Sequence, residues 1–74
     1  MNTSINYDFV SDNACSEVAT VLQMASITPL SVTFNPTMYD NVTVEFKSKD
    51  DAIKFTSVYL DSDNKEDIAE YVSL

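Results

Sequence analysis

Hydrophobic residues along the chain follow two periods, and the switches between them mark out its elements. Ile5, Tyr7 and Phe9 alternate with Asn6 and Asp8, which is the pattern of a strand with one apolar face. Ala14, Val18, Val21, Leu22 and Ala25 then recur at helical spacing behind Ser11-Asp12-Asn13, three residues that each suit an N-cap. They predict an amphipathic helix over Asp12 to Ser26, ended by Pro29, which lacks an N–H and pushes Thr28 out of the α region. Leu30, Val32 and Phe34 alternate with Ser31 and Thr33 as a second strand that stops at Pro36. The segment 35–41 is longer than a tight two-residue turn and leads into a third strand, where Val42, Val44 and Phe46 alternate. At Ser48-Lys49-Asp50-Asp51 the period changes again, and Ala52, Phe55, Thr56, Tyr59 and Leu60 predict a helix over Lys49 to Leu60. Its start fits a capping box, with the Ser48 hydroxyl accepting the Asp51 N–H and the Asp51 carboxylate reaching back. Asp61 to Asn64 reads as a loop or cap. From Lys65 to Leu74 a short helix fits through Ile68, Tyr71 and Val72, with acids in its first turn. Alternation of Ile68, Glu70, Val72 and Leu74 keeps a fourth strand open.

The order strand, helix, strand, strand, helix opens the split β-α-β pattern, and right-handed crossovers place the third strand between the first two. The expected fold is a single α+β domain over residues 1–74, a small ferredoxin-like sandwich. Its three-stranded sheet is covered on one face by two helices, with a short C-terminal helix or fourth strand. Ile5, Tyr7, Phe9, Leu30, Val32, Phe34, Val42, Val44 and Phe46 then point toward the helices. Asn6, Asp8, Ser31, Thr33, Thr43, Glu45 and Lys47 fall on the outer face. If the C-terminus is a helix, both sheet edges keep unpaired backbone groups. The segment VEFKSKDDAIKF, Val44 to Phe55, resembles the strand-to-helix step of ferredoxin-like domains, including RNA-recognition modules. In those modules aromatics on the exposed face of the central strands bind RNA, whereas Thr43, Glu45 and Lys47 stand there in this chain, so the resemblance implies a fold and no RNA binding. Taken whole, the short, Asn/Ser/Asp-rich, glycine-free and acidic chain resembles small uncharacterised proteins of marine phages that infect cyanobacteria, and this resemblance implies no activity.

Size and charge narrow the functional classes. A chain of 74 residues holds one modest core, with a net stability of roughly 4 to 11 kcal/mol by the per-residue rule, and association would help it. Twelve acids against four lysines, with no arginine and no histidine, leave a net charge of -8. That field opposes direct binding of DNA, RNA or an anionic membrane and favours a basic protein partner. The absence of glycine excludes Gly-rich phosphate loops and leaves positions of positive φ to Asn or Asp, with Asn13, Asn35, Asn41 and Asn64 as candidates where loops are wanted. Cys15 stands alone and cannot form an internal disulfide. No basic region followed by an apolar run opens the chain, and no apolar stretch approaches the roughly 20 residues that span a bilayer. The expected compartment is the reducing cytoplasm of the source cell or of a phage-infected host.

Chemistry finds few parts. Without His or Arg, acid–base and nucleophilic machineries are incomplete, and Cys15, with no base partner, is expected to be a small buried hydrophobe. Asp61-Ser62-Asp63-Asn64 resembles the opening of a calcium loop, but Glu66 stands where glycine is needed and Val72 where a bidentate acid is needed. Asp50 and Asp51, like Glu66 and Asp67, sit in first helical turns, where the helix dipole favours acids regardless of chemistry. No catalytic residue, metal or cofactor is expected. Two functional readings remain. One is a non-enzymatic interaction module that self-associates as a homodimer through a sheet edge or through Met38 and Tyr39, unless that loop folds back over the core. The other is an acidic mimic of nucleic acid that occupies a DNA- or RNA-binding protein, with Asp61, Asp63, Glu66, Asp67 and Glu70 standing in for phosphates. An ordinary solvated surface accounts for the same acids.

Overall fold

The protein is described by a computed structural model over residues 3–10 and 13–73. Its elements are β1 (Thr3–Asp8), α1 (Ala14–Ala25), β2 (Ser31–Phe34), β3 (Asn41–Phe46), α2 (Lys49–Leu60) and α3 (Lys65–Ala69). The sheet has the order β1-β3-β2, with β3 antiparallel to both neighbours, as right-handed crossovers require. This is the ferredoxin-like α+β build with α3 in place of a fourth strand. The N-cap candidates Ser11 and Asp12 lie outside the described residues, and the Asn13 carbonyl accepts the N–H groups of Ser16 and Glu17. At α2 the Ser48 hydroxyl accepts the Asp51 N–H at 3.2 Å, while no return bond from the Asp51 carboxylate joins it among the described residues. The C-terminus resolves as a helix because Asn64 caps it. Its side-chain oxygen accepts the Glu66 and Asp67 N–H groups at 2.8 and 3.3 Å, and Ile68 and Val72 turn into the core.

The core is centred on Tyr7. Alternation sends Ile5 and Tyr7 from β1, with Phe9 just past its end, and Val42, Val44 and Phe46 from β3, to the same side of the sheet, where α2 closes over both strands. Tyr7 is wholly buried, with its hydroxyl 2.7 Å from Thr56 Oγ1 on α2. Its ring centroid lies 4.8 Å from Phe55, 4.9 Å from Tyr59 and 5.5 Å from Tyr71, the last a near-parallel stack. Phe9 packs on Tyr59, Phe46 on Phe55 and Tyr59 on Tyr71, so one aromatic network joins β1, β3, α2 and the turn after α3. Such ring pairs are worth about 0.5 to 1.5 kcal/mol each beyond the area they bury. The Tyr59 hydroxyl donates to the Asp8 carbonyl and ties the end of α2 to the end of β1.

Three expectations are corrected. Leu30 and Phe34 share the side of the sheet that faces the helices, yet they stay 52% and 43% exposed, and Val32 is half-buried. The helix cover lies over β1 and β3, with α1 packed on α2, and β2 projects beyond it as the outer strand. Positive φ falls on Ser26 and Asp61, at 57° and 53°, and on none of the four asparagines. Both residues follow the last turn of a helix. Ile27 N–H bonds the Leu22 carbonyl and Ser26 N–H that of Gln23, and Ser62 and Asp61 repeat the arrangement on Ser57 and Val58. This double bond satisfies carbonyls left open at a helix end and demands the left-handed conformation, whichever residue stands there. Cys15 is exposed, because its neighbour Ala14 takes the buried position on α1.

Two outcomes follow from this core. Phe46→Ala, at a wholly buried ring, should cost about 3 to 5 kcal/mol, enough to unfold much of the population, while Phe34→Ala costs far less. Chemical denaturation of both variants checks the contrast, and equal losses would contradict the placement of β2. Burial raises the Tyr7 phenol far above its ordinary value, and burial, with the Tyr71 hydroxyl next, pushes Tyr59 up to about 12. Folding therefore favours the neutral phenols, and the stability they contribute is whole below about pH 10 and lost as pH rises through about 12. Denaturation midpoints should fall across that interval, less steeply in Tyr7→Phe, and an identical slope in the variant would contradict the assignment.

Candidate functional site

The groove of about 510 Å³ between the end of β1, α1 and the end of α2 is walled by Phe9, Val10, Val21 and Leu60, with hydroxyls from Ser16, Thr20 and Tyr59 and the carboxyl groups of Asp8 and Glu17. Its one titrating side chain with a resolved shift, Tyr59, is held neutral at physiological pH. Among the described residues no three His, Cys, Asp or Glu side chains converge as a metal site, and every buried side-chain polar atom has a hydrogen-bond partner. The polar face of the sheet is a closed set of cross-strand bonds. Asn6 and Asn41 exchange amide bonds at 2.9 and 2.7 Å, Asn41 also donates to Asp8 at 2.7 Å, and Asn6 donates to Thr43 at 3.0 Å. Asn41, buried by these bonds, is held as a structural amide.

Peptide groups without partners line both edges of the sheet, at Ser4 and Asn6 of β1 and along β2, and exposed apolar side chains join them at β2. In the register Ser31↔Glu45 to Phe34↔Val42, continued by the bond from Asn35 N–H to the Asn41 carbonyl, Ser31, Thr33 and Asn35 aim their peptide groups at β3. The N–H and C=O groups of Val32 and Phe34 therefore point outward, and no hydrogen bond reaches them from any described residue. Beside these groups stand the half-exposed side chains Leu30 and Phe34. No residue from Val18 to Tyr39 carries a charge, in a chain of net charge -8.

The hairpin after β2 is firmly built. Asn35 Oδ1 accepts both the N–H and the hydroxyl of Thr37, at 3.0 and 2.9 Å, and Asn41 N–H bonds the Met38 carbonyl. Phe9 N–H bonds the Asp40 carbonyl at 2.7 Å and fastens the loop to β1. Met38 and Tyr39 are held out on this frame, 49% and 71% exposed, rather than folded over the core. The acids gather on a different segment, running from the end of α2 to the end of α3, where all five are exposed. Each has a local place there. Asp61 is the left-handed cap of α2, Asp63 accepts the Ser57 hydroxyl at 3.1 Å, Glu66 and Asp67 occupy the first turn of α3, and Glu70 follows its last residue. Sequence reasoning found Met38 and Tyr39 but missed Leu30 and Phe34, and the signal that marks them is the long uncharged run.

In comparison with known proteins the chain matches no family model, no curated protein and no solved structure. No helix among the described residues is long and apolar enough to cross a membrane.

Proposed function

We propose that the protein is a small, non-enzymatic interaction module that works as a homodimer. One observation carries this reading: β2 presents unbonded peptide groups and exposed Leu30 and Phe34 along an edge that no helix covers. Native proteins rarely leave such an edge bare, because it templates pairing with another chain. A domain of this size also gains much of its margin from association. Met38 and Tyr39, on a hairpin fixed by hydrogen bonds, form a second apolar contact surface next to that edge. The acidic turn suits a basic protein better than nucleic acid or an anionic membrane. We place the module in a reducing cytoplasm, where the exposed Cys15 stays a free thiol.

The acidic nucleic-acid mimic has weaker support. Asp61, Asp63, Glu66, Asp67 and Glu70 lie along one short segment, but capping and the helix dipole account for their positions without a ligand. The two readings predict opposite responses to salt. Two copies of charge -8 repel, so a homodimer joined through an uncharged edge should tighten as salt screens the repulsion. A mimic should lose its basic partner as salt rises. Light scattering coupled to size exclusion should report a dimer at micromolar protein, with more dimer at 0.5 M than at roughly 0.05 M salt, where the screening length is several times longer. A monomer at every concentration and salt would overturn the homodimer. Loss of a basic partner on neutralising Asp61, Asp63, Glu66 and Glu70 together would favour the mimic.

A further inference from the structure

We propose that the homodimer forms by antiparallel pairing of β2 with β2 of a second copy, on a twofold axis at Thr33, so that two three-stranded sheets become one of six strands. This rests on the self-association reading above and specifies its surface and register. The outward peptide groups belong to Val32 and Phe34, so a second β2 can be bonded only where outward groups meet outward groups. An axis at Thr33 sets Val32 against the second copy's Phe34 twice over and makes four N–H to C=O bonds.

Neighbouring registers form as many bonds, but each leaves one outward carbonyl of Val32 or Phe34 unmet in each copy, for reasons that lie in particular residues. An axis at Val32 needs the Leu30 N–H, which already bonds the Glu45 carbonyl at 2.8 Å. An axis at Phe34 sets Val32 against Pro36, which has no N–H to give. An axis between residues turns the apolar face of one sheet to the polar face of the other. With the axis at Thr33, each Val32 side chain lies across from a Phe34 ring on the helix side, an aromatic and β-branched pair, and the two Thr33 side chains meet on the polar side. The occupant is a second copy for a reason of charge as well as shape. The edge and its flanks form part of the uncharged run from Val18 to Tyr39, where two copies of net charge -8 can come together without placing carboxylates in contact.

The axis makes a symmetric cross-link the direct test. Across a non-hydrogen-bonded pair the two Thr33 Cα atoms would lie about 4.5 Å apart, within disulfide reach, whereas the two Ser31 Cα atoms would be about 14 Å apart along the strands. Both side chains are exposed on the polar face, so cysteine is tolerated at either. In a Cys15→Ser background, Thr33→Cys should oxidise in air to a covalent dimer roughly tenfold or more faster than Ser31→Cys, since pairing raises the local thiol concentration. Val32→Pro removes an outward N–H and leaves the bonds to β3 in place, and it should give a monomer with unchanged circular dichroism. Equal rates at the two cysteine positions, or no cross-link at Thr33 while light scattering still reports a dimer, would overturn this register and leave self-association standing. A monomeric wild-type protein would overturn both.

Discussion

Burying the Tyr7 phenol sets the position of nearly everything else. A ring of that size brings a hydroxyl into the interior, and an unpartnered hydroxyl there costs about 1 to 3 kcal/mol. Thr56 meets it from α2 at 2.7 Å, which fixes both the height and the rotation of that helix over β1. Phe55, Tyr59 and Tyr71 then close on the ring, which ties α2 and the turn after α3 to the helix side of β1. The helices are committed to β1 and β3. The cover ends short of β2, and the same packing that secures the core leaves the apolar side chains along that edge exposed.

That link between core and edge explains why an acidic chain of 74 residues has its apolar surface where it does. Charge is arranged around the rest of the molecule, with acids capping α2 and opening α3, while the run from Val18 to Tyr39, which holds β2, carries none. The polar face of the sheet is internally satisfied through Asn6, Asn41, Asp8 and Thr43, so it makes no comparable demand for a partner. Net charge repels a second copy of the chain, while the exposed apolar side chains lie in its uncharged run.

Much of the fold is legible in the sequence because local signals and tertiary packing agree. Ser48 and the period change behind it mark the start of α2 at Lys49, and alternation through Val42, Val44 and Phe46 identifies β3 as a strand buried by its neighbours. Where the two levels part, the sequence misleads. Leu30 and Phe34 alternate as core residues do, but alternation gives the side of a strand and not what lies over it. Positive φ at Ser26 and Asp61 follows from how a helix ends and not from residue preference, so choosing asparagines missed it. Cys15 was one residue out of phase with the buried stripe of α1. For the candidate site, Met38 and Tyr39 were visible as apolar residues in a loop, but their exposure depends on the Asn35 turn and the bond from Phe9 to Asp40.

Amide hydrogen exchange resolved by residue tests the whole account at once, because the strand edge alternates between inward and outward N–H groups. Thr33 and Asn35 should be protected at every protein concentration by β3. Val32 and Phe34 should exchange freely in dilute, low-salt solution and slow as concentration and salt favour the dimer. Protection of Val32 and Phe34 that is independent of concentration, or their free exchange under conditions where the protein is dimeric, would contradict the claim that this edge is open in the monomer and closed by a second copy.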